Sequence, residues 1–434
     1  MKQKKIHIGR VLASYFRQPN TYIIVDLLTI MISFLLFSPR TELLIRSYVA
    51  VILVLQLLLF VVIVFSDRFK MFRESNYPLA MIVCYAGILL APLNIGHQTL
   101  FNRYLVVTFP TVFFFVFFYN LKYRGNKANI ILSLVILLIM INPSWNTYNA
   151  LLRDAGACRK MGIDEEYTYI QMMRGVMGYV LVYSVVFIHI VFAFLVKNNS
   201  RLDFSKTTKV LIILVCVFSF FFIVLSNYFT ALILAVFADF AIWVLAKSSK
   251  YVILLITLFT IYSFNPDGFN DVIIDTSLRL VPHGKTYDRI ESMKTTSLDA
   301  MDSRKGHMSI SWRTINHYPI TGGVVDKLFT INGGISQHSY VLDTIAIYGL
   351  PLGVFYFYIA LFPFIFLYKK AKYYTQKFFV SLMGGVFFVF CYRNNYTGHI
   401  GCIVYLIVPT ACTYVNTYFK PLVHKNTYID LSKA

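Results

Sequence analysis

Residues 209–226, KVLIILVCVFSFFFIVLS, and residues 228–246, YFTALILAVFADFAIWVLA, stand back to back with Asn227 alone between them. At about 1.5 Å of rise per residue, each block as a helix nearly crosses the roughly 30 Å hydrocarbon core of a bilayer. Asp239 is the only acidic residue inside them. The pair therefore reads as two membrane helices joined by a tight turn. Working outward, blocks of the same kind lie at roughly 21–37, 48–65, 79–95, 101–119, 129–142, 175–196, 251–264, 339–368, 378–392 and 399–419. The expected fold is all-α: a polytopic membrane bundle of about twelve transmembrane helices, forming a single membrane domain over residues 1–434.

Composition agrees with this. Of the 434 residues, 58% are hydrophobic and 14% charged, against about 45–50% and 25% in soluble domains. The six cysteines show no CxxC zinc spacing, and five of them (Cys84, Cys216, Cys391, Cys402, Cys412) fall in or beside apolar blocks, leaving Cys158 in a polar loop. A disulfide framework is excluded. The net charge of +20 is spread in small clumps between apolar blocks, so it argues for topology and against a nucleic-acid partner. The basic stretch Met1–Asn20 lacks the shape of a signal peptide, and 21–37 is expected to remain as the first helix.

With the N-terminus in the cytoplasm, 24 of the 40 Lys and Arg residues fall in cytoplasmic segments. Of the other 16, 12 lie in two long outer loops that carry little weight in the positive-inside rule. Both termini are thus expected in the cytoplasm, and residues 143–174 and 265–338 outside. A loop as long as the second is usually functional. Its periodic pieces, Val272–Leu280 and Met308–Ile315, suggest short amphipathic helices on the outer face.

Phosphate-loop, dinucleotide, HExxH and GxSxG signatures are all missing. Intramembrane acids are essentially Asp26 and Asp239, both toward cytoplasmic helix ends, which argues against ion-coupled transport. The informative region begins with Asp302-Ser303-Arg304 and continues as Ser311-Trp312-Arg313-Thr314-Ile315-Asn316-His317-Tyr318-Pro319-Ile320-Thr321-Gly322-Gly323. Gly333-Gly334-Ile335-Ser336-Gln337-His338-Ser339-Tyr340-Val341-Leu342-Asp343 follows, then Tyr348-Gly349-Leu350-Pro351-Leu352-Gly353 inside the next apolar block.

This order of elements resembles the bacterial O-antigen polymerase and O-antigen ligase superfamily. Shared features are an Arg ahead of a Trp-bearing amphipathic helix, a Pro-x-x-Gly turn, a His at a helix start and a small-residue break. The local pattern covers about 50 residues, and the topology matches along the whole chain. One family element departs: the middle outer turn reads Leu225-Ser226-Asn227-Tyr228-Phe229-Thr230, without the Arg of a Ser-x-Arg element. The resemblance implies a glycosyltransferase of the bacterial cytoplasmic membrane that acts on polyprenyl-diphosphate-linked oligosaccharides, with membrane lipid and a chain-length regulator as further partners.

The residues suit that chemistry. Outside the cell no nucleotide sugar is available, so the enzyme must grip a lipid diphosphate, and the planar fork of Arg does so bidentately. Arg304, Arg313, Arg174 and Arg289 are the candidate diphosphate ligands, with Arg153, Arg159 and Arg279 also in the outer loops. For Arg304 diphosphate binding is favoured over a salt bridge to Asp302 or another loop carboxylate, while Arg174 and Arg313 read equally as lipid-headgroup contacts. His338 is the candidate base, with an unperturbed pKa near 6.5. Asp343 is expected to orient it from about one turn away. Helix capping is the other reading of His338, and His283, His307 and His317 are alternative bases. Trp312 and Tyr340, with Tyr287 and Tyr318, could stack on sugar rings or belong to the interfacial aromatic belt. A diphosphate held by Arg is already a good leaving group, so no cofactor and no metal is expected. Polymerase is favoured over two alternatives: a ligase with a different lipid acceptor, and a flippase or exporter of lipid-linked glycan.

Overall fold

The computed structural model describes residues 20–45, 48–71, 109–154, 156–161, 164–202, 204–245, 308–323, 334–336, 338–394 and 396–418, with isolated residues between 254 and 279. The expected span at 79–95, all but two residues of that at 251–264, residues 101–108 of that at 101–119, and Arg289 and Arg304 lie outside the described residues, as do His283, Tyr287 and His307. The described residues form helices and no strand. Among the described residues, six helices are long and apolar enough to cross a membrane: Asn126–Arg153, Tyr179–Lys197, Lys206–Leu225, Tyr340–Lys370, Tyr374–Arg393 and Gly398–Val415. The chain is thus a multi-pass helical protein of membrane type.

In chain order the elements are α1 (Asn20–Leu36), the short corner helix α2 (Pro39–Leu44), α3 (Tyr48–Ser66), α4 (Val112–Tyr123), α5 (Asn126–Arg153), α6 (Glu165–Met173), α7 (Tyr179–Lys197), α8 (Lys206–Leu225) and α9 (Phe229–Phe240). They continue with α10 over 308–317, α11 (Tyr340–Lys370), α12 (Tyr374–Arg393) and α13 (Gly398–Val415). Single π turns at Ala241–Leu245, after α9, and at Ile403–Ile407, within α13, interrupt the regular helix.

Both faces of a membrane helix are apolar, so hydrophobicity alone cannot decide which one packs; shape and small polar groups do. On α1 the buried face carries Val25, Asp26, Thr29, Ile32, Ser33 and Leu36 at helical spacing, while Leu27, Met31 and Phe34 remain exposed. The Thr29 and Ser33 hydroxyls return their hydrogens to the Val25 and Thr29 carbonyls at 2.7 and 2.8 Å, so neither polar group is stranded. Helix α7 is the inner post, buried from Leu181 to Val191. Its aromatics interlock with α12: Phe194 stacks on Phe379 with centroids 4.1 Å apart, and Tyr183 and Phe187 meet Phe390. Helix α8 is peripheral and leaves Val210, Leu214, Val217 and Phe221 on its outer side.

Polar contacts divide the bundle into two ends. At one end, Arg124 binds Asp26 through both guanidinium amines at 2.8 and 2.9 Å, with both side chains buried. Beside this pair Asp67 receives Lys122 at 3.0 Å together with the Tyr123 hydroxyl, and Lys197 lies over the Trp243 ring. These contacts lie in and beside short loops that carry Lys and Arg. At the other end, Arg40 Nε donates to the Met173 carbonyl, the Tyr228 hydroxyl donates to the Cys158 carbonyl, and the Tyr340 amide donates to the Asn394 carbonyl.

Two sequence readings change. Helix α5 does not stop at 142 but runs through Pro143 to Arg153, so residues 143–153 of the expected loop are helical. Proline removes one donor from the ladder and does not end a helix whose other bonds are intact. Cys158 is not in open polar surroundings: it is buried and its Sγ donates to the Met177 carbonyl at 3.4 Å. Burial pushes its thiol up to about 12. Nearby, the exposed Lys160–Asp154 pair at 2.6 Å holds the Asp154 carboxyl below its ordinary range; such an exposed pair adds little stability.

Candidate functional site

Helix α10 separates into two faces. Met308, Ser311, Thr314 and Ile315 are buried, and Trp312, Arg313, Asn316 and His317 are exposed. The buried face rests on the first turns of α11, where Met308 and Ile315 pack with Leu342 and Ala346. Helix α10 therefore lies against the membrane helix at the end of the bundle away from the Asp26–Arg124 pair.

Hydrogen bonds fix this contact. The Asp343 carboxyl oxygen Oδ1 receives the Ser311 hydroxyl at 2.6 Å, the Ser336 hydroxyl at 2.6 Å and the Ser336 amide at 3.1 Å. The Ser336 amide also reaches Ser311 Oγ at 2.8 Å. Thr314 Oγ1 donates to the Gly334 carbonyl, and Gly334 takes a positive φ of 83° so that the chain can turn there. The Ser339 side chain caps α11 by accepting the Leu342 amide. A single buried acceptor thus gathers groups 32 and 7 residues away in sequence.

A second contact joins the Pro-x-x-Gly turn to the helix break. Gly349 interrupts α11 with φ 78° and ψ 167°, a region open essentially only to glycine. The Leu350 amide, freed by the break, donates to the Pro319 carbonyl at 2.8 Å. Gly322, at φ 71°, faces it so closely that a Cβ there would lie 2.1 Å from the Ile347 oxygen, and one on Gly349 would lie 2.0 Å from the Ile320 oxygen. The two glycine elements of the sequence pattern are therefore two halves of one backbone-to-backbone contact.

The sequence-nominated residues take distinct places. His338 is exposed and its backbone amide donates to Ser336 Oγ at 3.1 Å. Asp343 is fully buried and its hydrogen bonds come from serines; it reaches His338 through Ser336 and not through the imidazole. Arg313 and Trp312 are exposed on the face of α10 turned away from Asp343. Tyr340 is buried, with its ring against Tyr396 at 5.4 Å, so it serves packing at the helix start. Arg174 ends α6 and is exposed far along the chain from α10, on the corner that also carries Arg40.

Sequence reasoning passed over Ser311, Ser336 and Arg40. Serine is common in loops and carries no signal of its own, although Ser311 sits on the buried stripe of an amphipathic helix. It also passed over His189, buried in α7, whose Nε2 meets Asp239 at 3.0 Å and whose Nδ1 lies 3.1 Å from Ser219 Oγ. Among the described residues no cluster of His, Cys, Asp and Glu has the arrangement of a metal site. No family model matches the chain, and no curated protein matches it.

Proposed function

We propose that the chain is a polymerase of polyprenyl-diphosphate-linked oligosaccharide repeats, working on the outer face of the bacterial cytoplasmic membrane, with about twelve spans and both termini inside. The observation that carries this reading is the surface built at one end of the bundle. There the Ser311–Asp343–Ser336 lock seats an amphipathic helix flat on a membrane helix, with His338, His317 and Arg313 exposed. Lys- and Arg-rich short loops gather at the opposite end, which favours this end as the outer one.

In this reading a repeat unit arrives on its lipid carrier and lies with its diphosphate at headgroup depth. His338 accepts the proton of an acceptor hydroxyl, that oxygen attacks the anomeric carbon of the donor, and the bond to the diphosphate oxygen breaks with inversion. Arginine holds the departing diphosphate, as a charge-assisted fork. Exposure of His338 fits a base that must meet a bulky glycan, and its backbone tie to Ser336 fixes where the imidazole starts. The ligase reading shares every one of these steps and differs in the acceptor. The test is His338→Ala in purified protein: turnover should fall by about 10²–10⁴-fold while donor still binds. Undiminished turnover would remove His338 from the mechanism.

A further inference from the structure

At the same end of the bundle as α10, the corner after α1 and the middle of α5 enclose a cleft of about 260 Å³. Its walls are apolar, with Phe34 and Phe37 from α1 and Leu138 and Ile139 from α5. Its polar groups are confined to Ser38, Arg40 and Asn142. Pro143 lines the cleft where α5 lacks a backbone donor. Gly175 closes it from the third side at φ 79°, where a Cβ would strike Asn146 Nδ2 at 2.6 Å.

Arg40 lines the mouth of the cleft, and Arg174 lies beside it in the backbone, between Met173, which holds Arg40, and Gly175, which lines the cleft. Arg40 is exposed and is held by one atom, Nε on the Met173 carbonyl at 2.8 Å. Arg174, the next residue after Met173, is exposed as well. Neither makes an ion pair with a described carboxylate; Glu42, on the same short helix as Arg40, makes none with it. Exposed apolar side chains continue from the cleft down the bundle surface, through Phe34, Met31 and Leu27 on α1 and Leu138 and Leu134 on α5. The order is therefore cations at the rim, an apolar cleft below them and an apolar track beyond.

We infer that this cleft is the seat of an isoprenoid diphosphate, the carrier end of the donor or of the growing chain, with Arg40 and Arg174 on the diphosphate and the first isoprene units between Phe34, Phe37, Leu138 and Ile139. The inference rests on the polymerase reading for the identity of the lipid. Charge complementarity selects it over a phospholipid: two arginines with no carboxylate partner among the described residues match the multiple charge of a diphosphate, whereas a phosphodiester headgroup carries one. The cleft also touches the candidate catalytic surface through packing. Phe37 meets the His399 ring at 5.4 Å, and five residues before His399 the Asn394 carbonyl receives the Tyr340 amide at the start of α11, two residues beyond His338.

The test uses full-length protein in nanodiscs of phosphatidylethanolamine and phosphatidylglycerol, with a benzophenone-bearing farnesyl-type diphosphate as probe. Photolabelling should map to peptides within 34–40 and 138–143. Unlabelled isoprenoid diphosphate should displace the probe. Added phosphatidylglycerol should not, and inorganic diphosphate, which lacks the chain, should compete only weakly. Arg40→Ala combined with Arg174→Ala should weaken probe binding at least about tenfold. Both side chains are exposed and Arg40→Ala removes a single hydrogen bond, that to the Met173 carbonyl, and Leu138→Trp provides an independent check by filling the cleft while sparing the arginines. Labelling confined to 308–345, unchanged affinity in both variants, or equal displacement by phosphatidylglycerol would each overturn the inference. Because binding and not turnover is read, a protein that binds the probe here yet builds no polymer would refute the polymerase reading alone.

Discussion

Replacing Asp343 by alanine removes the acceptor shared by the Ser311 hydroxyl, the Ser336 hydroxyl and the Ser336 amide. The amide keeps Ser311 Oγ at 2.8 Å, so two buried hydroxyls lose their main partner. A buried donor left without a partner costs about 1–3 kcal/mol. Rotation of the hydroxyls and entry of water recover part of this, so the net loss should be about 3 kcal/mol, confined to the seating of α10. Hydrogen exchange followed by mass spectrometry on residues 308–317 reads that loss directly, as an acceleration of about 10²-fold. Ser311→Ala should give a smaller acceleration, and the double variant should fall well short of the sum, because both changes break the same bond. Asp343→Asn keeps an oxygen in place and should retain most of the protection. If Asp343 instead served by orienting the imidazole, activity would be lost with the protection of 308–317 intact, and the pH profile of turnover would shift. That pair of results would refute the lock.

The Gly322–Gly349 contact should be as intolerant: Gly349→Ala adds a Cβ 2.0 Å from the Ile320 oxygen in a glycine-only conformation and should cost about 3 kcal/mol or more, read as lost protection at 308–317 and lowered thermal stability. Unchanged stability would mean that the turn does not dock there. At the other end, Arg124→Ala leaves the buried Asp26 carboxylate alone and should destabilise the protein by about 3–5 kcal/mol, measured by thermal unfolding in detergent. Arg124→Met combined with Asp26→Leu should recover most of that loss, and a double variant as unstable as the single one would contradict the pairing.

The membrane helices were legible because the bilayer demands long apolar runs, and every described span overlaps a block marked from hydrophobicity. What sequence could not show is where helices continue beyond the hydrocarbon, as α5 does past Pro143 through polar residues such as Asn146 and Asn149. The positions of His338 and Asp343 in a short outer segment were readable, but their relation was not. Spacing along one helix suggested a direct pair, whereas the fold turns Asp343 inward to serines drawn from two other segments. The same holds for His189 and Asp239, 50 residues apart, which only packing brings together. Arg40 was counted solely as a topology charge, since one arginine in a corner of the chain gives no hint that a cleft lies beneath it.

The claim at the centre of this account is that the protein joins like to like. A polymerase accepts the same kind of molecule that it donates, so the purified protein, reconstituted with one lipid-linked repeat and nothing else, should yield a ladder of products spaced by one repeat unit. Substrate that stays unchanged, and reacts only when a chemically different glycolipid acceptor is supplied, would contradict polymerisation and assign the protein to the ligases instead.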